Sequence, residues 1–231
     1  MKVLILGGDG MLGHKVFQVL VEQHEVTATF FDRHGAWATF PTYATTPPER
    51  LQGGVDALDF TSVVRAVAKA RPDVVVNCVG IVKQLEEAND PVLTLTLNAL
   101  FPHRLADLCE AAGTRLIHMS TDCVFSGRKG MYTEEDLTDA EDLYGRSKAL
   151  GELDRPGCLT VRTSIIGRDY LKQSALLEWF LAQRGGSVKG YRNAVFTGLT
   201  TQALARVIGD VIDRHPGLHG IHQVASEPIT K

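Results

Sequence analysis

Short apolar runs alternate with stretches of helical periodicity along most of the chain. Val3-Leu4-Ile5-Leu6 is an apolar run of strand length that ends at Gly7-Gly8. Met11, Leu12, Val16, Val19 and Leu20 then fall on one face of a helix. Val26–Phe30 reads as a second strand, and Phe31–Gln52, with Pro41, Pro47 and Pro48, as mainly loop. Val55–Leu58 is expected to be a third strand and Thr61–Ala70 a helix. Val74-Val75-Val76 is β-branched throughout, as a strand buried on both faces should be. Val92–Ala112 predicts a long helix, bent or broken near Pro102 and ended by Gly113. Arg115–Ser120 and Cys158–Arg162 are expected strands, Ser126–Asp142 a polar loop and Tyr144–Leu153 a helix.

This alternation predicts an α/β fold with a doubly wound parallel Rossmann sheet. After Gly167 the rhythm loosens. Ser174–Gln183 and Thr200–Asp213 read as helices, Ile221–Ala225 as a strand, and Ser226–Lys231 as the start of a further helix. The expected division is an NAD(P)-binding Rossmann domain over 1–166 and a small C-terminal substrate lobe over 167–231, interleaved with the end of the sheet and incomplete relative to similar chains.

Composition narrows the picture. Of 231 residues, 44% are hydrophobic and 22% charged, an ordinary globular mix that excludes disorder, collagen and coiled coil. The net charge of −3 leaves no basic field to hold nucleic acid. No apolar run reaches the roughly 20 residues of a membrane span, and the apolar start is too short for a signal peptide. Cys78, Cys109, Cys123 and Cys158 are scattered, which reads as reduced thiols in a cytoplasmic protein and predicts no metal cluster.

The first candidate site follows the first strand. Gly7, Gly10 and Gly13 stand three apart, where the chain must turn tightly and let a pyrophosphate approach the start of a helix. With 22 Gly in the chain, the pattern arises near the N-terminus by chance about once in 100 sequences. The alternative is a glycine-rich turn without a ligand. At the end of the second strand the acidic residue that would favour NAD is missing, and Arg33, before His34, can meet a 2′-phosphate. This leans to NADPH, with NAD the alternative. Asp59 and Phe60 are placed to bind and cover an adenine; for Asp59 the alternative is a helix N-cap.

The second candidate is Tyr144 with Lys148, four residues apart on one helix face. A phenol with its ordinary pKa near 10 is a poor proton donor at neutral pH until a cation lowers that value. The spacing alone is weak evidence, with about 0.2 matches expected by chance. The end of the fifth strand adds Ser120, Thr121 and Asp122, where hydroxyls can bond a substrate carbonyl oxygen. Asn77 and Asn98 are further polar groups at that rim, or ordinary partners of loop backbone.

Together, Gly7/Gly10/Gly13, Asn98, Ser120-Thr121-Asp122-Cys123-Val124-Phe125 and Tyr144-x-x-x-Lys148 resemble the extended short-chain dehydrogenase/reductase superfamily. The acidic loop Tyr132–Asp136, the string Tyr144–Glu152 and Val161-Arg162-Thr163-Ser164 resemble more narrowly the dTDP-4-dehydrorhamnose reductase family. The resemblance implies NAD(P)H-dependent reduction of a keto group on a nucleotide-linked deoxysugar. In it Thr121, Tyr144 and Lys148 form the catalytic set, and Met11 and Leu12 offer backbone N–H groups to the phosphates. Cys78, Val79 and Gly80 border the nicotinamide ribose, and Ser120, Asp122, Cys123 and Ile165 line the sugar. Where the family carries Tyr and Trp, this chain has Cys123 and Ile165, which reshapes the sugar pocket without touching the hydride chemistry. The resemblance also implies a possible homodimer through Val92–Ala112 and Tyr144–Leu153. Alternatives on the same frame are a sugar-nucleotide epimerase or dehydratase, and a non-catalytic dinucleotide-binding regulatory subunit.

Overall fold

The computed structural model describes residues 1–33, 35–83, 86–170 and 175–230; His34, Ser174 and Lys231 lie outside them. The first half runs β1 (Lys2–Leu6), α1 (Gly13–Leu20), β2 (Glu25–Phe30), β3 (Leu51–Gly53), α2 (Phe60–Ala70) and β4 (Val74–Asn77). Next come α3 (Pro91–Leu95), a π-helical turn at Thr96–Leu100, α4 (Phe101–Ala111), β5 (Arg115–Met119), α5 (Leu143–Leu150) and β6 (Cys158–Arg162). The last part holds β7 (Ile165–Ile166), α6 (Leu176–Ala182), β8 (Val195–Phe196), β9 (Leu199–Thr200), α7 (Thr201–Arg214), β10 (Gly220–Gln223) and β11 (Ile229–Thr230).

Seven strands form one sheet in the order β10-β6-β5-β4-β1-β2-β3, every pair parallel. Because side chains alternate across a strand, β1 feeds two cores. Val3 and Ile5 join α1 and α7 on one face through Val16, Phe17, Leu20, Leu204 and Ile208. Leu4 and Leu6 join α2 and α4 on the other through Val63, Val67, Phe101 and Leu105. Thus α7 and β10, late in the chain, complete the Rossmann layers.

Two expectations need correction, and two gain detail. The third strand is Leu51–Gly53, bonded to β2, and Val55–Leu58 is the loop after it. Gly53-Gly54 mask this edge strand, and Val55 returns only one bond, its N–H to the Phe30 carbonyl. Phe31–Gln52 is mainly loop, as expected, with short 3-10 turns at Ala36–Thr39 and Pro48–Arg50 and its last two residues in β3. The predicted bend lies just before Pro102, at the π turn, where one extra residue is accommodated next to a proline that cannot donate. Finally, the residues after Ser226 start no helix: Ile229–Thr230 pairs antiparallel with β8.

Candidate active site

The sheet order reverses between β1 and β4, so the loops leaving these two strands diverge and open a crevice at their C-terminal ends. Gly7 turns with φ +80°, and a side-chain carbon at Gly13 would lie 2.0 Å from the Gly7 carbonyl oxygen, so only glycine lets the turn close on α1. Gly10 N–H donates to the Gly7 carbonyl at 3.1 Å, and the His14 ring bonds the Gly10 carbonyl at 2.8 Å. Leu12 is core, while Met11 is half-buried at the bend. Across the crevice stands the loop after β4: a side-chain carbon at Gly7 would be 3.2 Å from Val79 and 3.3 Å from Cys78.

The other wall is α5. Asp142 caps it by accepting from Gly145 N–H at 2.7 Å and pairs with Lys83 at 2.7 Å. A side-chain carbon at Gly145 would be 2.2 Å from the Cys123 carbonyl oxygen, so the helix lies directly on the turn after β5. That contact brings the half-buried Tyr144 phenol near the Thr121 hydroxyl, which acts on its ionisation. Burial pushes the phenol above its ordinary pKa; the Thr121 hydroxyl works against this, and Cys123 and the carboxylates of Asp122 and Asp142 add to it. The expected lowering by Lys148 is not found: the phenol is raised, and Lys148 is not among the groups that act on it. Lys148 is buried, donates to the Met119 carbonyl at 2.7 Å, and is pushed down to about 8, chiefly by burial. A side-chain carbon at Gly80 would be 3.6 Å from its ammonium, so Lys148 stands beside the Cys78–Gly80 loop and hence near Gly7.

Buried amides hold these parts in register. Asn98, in the π turn, accepts from the Ile81 N–H and donates to the Ile81 carbonyl and to Ser147 of α5. Asn77 accepts from Val79 N–H and bonds His118 across the sheet. Below Lys148, the Glu152 carboxylate takes Ser120 Oγ–H at 2.8 Å and both Nε–H and Nη2–H of Arg162 at 2.8 and 2.7 Å.

The remaining candidates are more dispersed. Arg33 lines an open cavity of about 290 Å³ with Phe31, Asp32, Gly54 and Asp56, at the ends of β2 and β3. Asp59 is the N-cap of α2, accepting from Thr61 N–H at 3.2 Å, and Phe60 lies under the Arg104 guanidinium, 4.1 Å from its centroid. Asp122 accepts from the Thr121 hydroxyl at 3.2 Å, and half-buried Cys123 donates its N–H to the same hydroxyl. Ile165 packs partly on the main core and pairs with Leu199. Sequence reasoning gave no role to Lys83, Ser147, Glu152 or Arg162. Glu152 and Arg162 lay within quoted motifs, but their pairing needs β6 beside β5. Among the described residues no helix is long and apolar enough to cross a membrane, and all four cysteines are free.

A family model described as RmlD substrate binding domain matches residues 1–226. A dTDP-4-dehydrorhamnose reductase of Streptomyces griseus is 36% identical over 150 residues, 64% of this chain and 43% of that protein. A probable dTDP-4,6-dihydroxy-2-methyloxan-3-one 4-ketoreductase of Streptomyces antibioticus is 32% identical over 96% of this chain and 70% of its own length. Methionine adenosyltransferase 2 subunit beta of Danio rerio is 29% identical over 71% of this chain and 48% of that protein. Among solved structures, a dTDP-4-dehydrorhamnose reductase of Bacillus anthracis in complex with NADP has a TM-score of 0.75 at 21% identity, covering 100% of this chain and 77% of that one. The chain thus spans under half of the first of these relatives.

Proposed function

Because this chain belongs to the RmlD substrate binding domain family, we propose that it is an NAD(P)H-dependent reductase of a keto group on a nucleotide-linked deoxysugar. The observation that carries the reading is the placement of the Tyr144 phenol near the Thr121 hydroxyl at the end of β5, with buried Lys148 gripping the same strand end next to the loop after β4 and the glycine turn. In the proposal residues 1–166 bind the dinucleotide and 167–231 form the substrate lobe, interleaved with the end of the sheet because α7 and β10 belong to the Rossmann layers.

The residues fit a dinucleotide. The Gly7–Gly13 turn, closed by backbone contact at Gly13, leaves room for a diphosphate against the start of α1. Met11 and Leu12 present backbone N–H groups there, and Cys78, Val79, Gly80 and Asn98 border the ribose beside Lys148. Arg33 in its open cavity favours a 2′-phosphate, hence NADPH over NAD, and the Bacillus anthracis relative was solved with NADP. When bound, the cofactor supplies the hydride.

The chain's own residues handle the oxygen. Ser120 and Thr121 orient the sugar carbonyl, and Tyr144 donates its phenolic proton to the carbonyl oxygen. Burial keeps that proton on the phenol until it is needed. Lys148 orders the cofactor ribose. Asp122, Cys123 and Ile165 face the sugar, where small side chains widen the pocket. The exposed Val92, Leu95, Leu100 and Leu150 suit a homodimer through α3, the π turn that leads into α4, and α5.

The test is NADPH consumption across a panel of keto-sugar nucleotides. Stoichiometric consumption supports a reductase; an epimerase or dehydratase turns over without it. The similarity to the methionine adenosyltransferase beta subunit favours a second reading, a dinucleotide-binding regulatory subunit. Retained cofactor binding with no turnover on any substrate of the panel would favour that reading.

A further inference from the structure

We propose that Glu152 is a positioning residue of this site: paired with Arg162, its carboxylate holds the end of β5 in place and supplies the countercharge of the buried Lys148. The inference deepens the reductase reading and rests on it for its kinetic arm.

The geometry comes first. Glu152 follows Lys148 by four residues but lies just past α5, which ends at Leu150 with Gly151 as its C-cap, and the turn there brings its carboxylate to the same strand end that Lys148 grips. They grip consecutive residues: Lys148 donates to the Met119 carbonyl at 2.7 Å, and Glu152 accepts from Ser120 Oγ–H at 2.8 Å. Thr121, whose hydroxyl acts on the Tyr144 phenol, is the next residue. Ser120 is also tied to β6, its N–H donating to the Val161 carbonyl at 2.8 Å. Arg162, one residue further along β6, closes the frame with two bonds to Glu152. The Glu152 and Arg162 side chains are each only 5% exposed. A fork so deeply buried, with both carboxylate oxygens occupied, holds one geometry.

The charge argument points the same way. The titratable groups that act on Lys148 or feel it are Glu152, just past the end of α5, Cys78 from the loop after β4 and His118 from β5. Burial keeps the Cys78 thiol protonated, its pKa pushed up to about 12, and holds His118 neutral, well below its ordinary value. Tyr144 is raised as well. Glu152 supplies the carboxylate of this set, and it is the largest influence that opposes the effect of burial on Lys148. Arg162 shares that carboxylate, so the pair sets how much negative charge Lys148 feels.

Two substitutions separate this role from simple structural support. Glu152→Gln keeps the shape and removes the charge; Arg162→Gln leaves the carboxylate to Lys148 alone. The protonation of Lys148 is read by carbon-13 NMR titration of lysine-labelled protein, which needs neither cofactor nor substrate. Glu152→Gln should lower the Lys148 midpoint by about one pH unit or more, whereas Arg162→Gln should raise it. Movement in the same direction, or none, overturns the proposal. If Glu152→Gln does not fold, the Arg162→Gln titration decides, and a fall or no change overturns it. In turnover, Glu152→Gln should lose about 10- to 100-fold in kcat with the sugar KM little changed, and Glu152→Asp should recover the midpoint and part of the rate. A wild type that turns over no keto sugar would overturn the reductase reading, while the titration still judges Glu152.

Discussion

Asn98 holds the backbone of Ile81 at two points, accepting from its N–H at 2.9 Å and donating to its carbonyl at 3.1 Å. A side chain on a helix thereby fixes the loop that leaves β4, and with it Gly80, beside the Lys148 ammonium. Asn98 is buried, so Asn98→Ala leaves the Ile81 groups and Ser147 without this partner. The expected cost is about 1–3 kcal/mol of stability, read by urea denaturation. In the same variant dinucleotide affinity should fall more than an equal loss of stability elsewhere produces. Unchanged affinity would separate the clamp from the cofactor site.

Tyr144→Phe keeps the ring and deletes the proton. Loss of a general acid lowers kcat by about 10²–10⁴, while the dinucleotide Kd, read by calorimetry, should stay within a few-fold. Near-normal turnover would remove Tyr144 from the chemistry and leave Thr121 to be tested.

Gly13→Ala puts a carbon 2.0 Å from the Gly7 carbonyl oxygen, a backbone atom that cannot swing aside. The turn must open, at about 1–3 kcal/mol, and dinucleotide binding followed by fluorescence should weaken at least about tenfold. Gly127→Ala, with open space around it although its φ is +82°, serves as the control that strains a loop away from the crevice.

The pH dependence follows from Lys148, pushed down to about 8 from its ordinary 10.5. The cation is the working form, so cofactor affinity and kcat/KM should decline as pH rises through about 8. Stability has the opposite sign. Between about 8 and 10.5 the unfolded chain binds the proton that the folded one has released, so the contribution of this group to unfolding free energy increases with pH. Parallel activity and denaturation profiles check both slopes.

Arg33→Ala should raise the KM for NADPH about tenfold and leave the KM for NADH nearly unchanged. An equal effect on both would mean that Arg33 lines its cavity without reading a 2′-phosphate.

Much of this protein was legible in one dimension because its signals are local. The run Val3–Leu6, the β-branched Val74–Val76 and Cys158–Arg162 have the period and length of buried strands, and the structure has strands there. The glycine turn was equally readable, since spacing and position are properties of the chain alone. Edges were less readable. Leu51–Gly53 is a strand only because β2 lies beside it, and Ile229–Thr230 only because β8 does. Nothing in either segment's own pattern compels pairing. The electrostatics was the least readable. Residue spacing suggested that Lys148 acidifies Tyr144, but burial is a property of the packed fold, and it raises the phenol and lowers the lysine. Nor did position reveal that Glu152 and Arg162 meet, because they stand just past α5 and on β6 and are joined only when the sheet sets β6 against β5. The sequence by itself determined the buried strands and helices and which chemical groups are available, because period and spacing are local. Only the tertiary structure decided which groups lose water and which charges face one another, because dehydration and proximity depend on every layer of the fold at once.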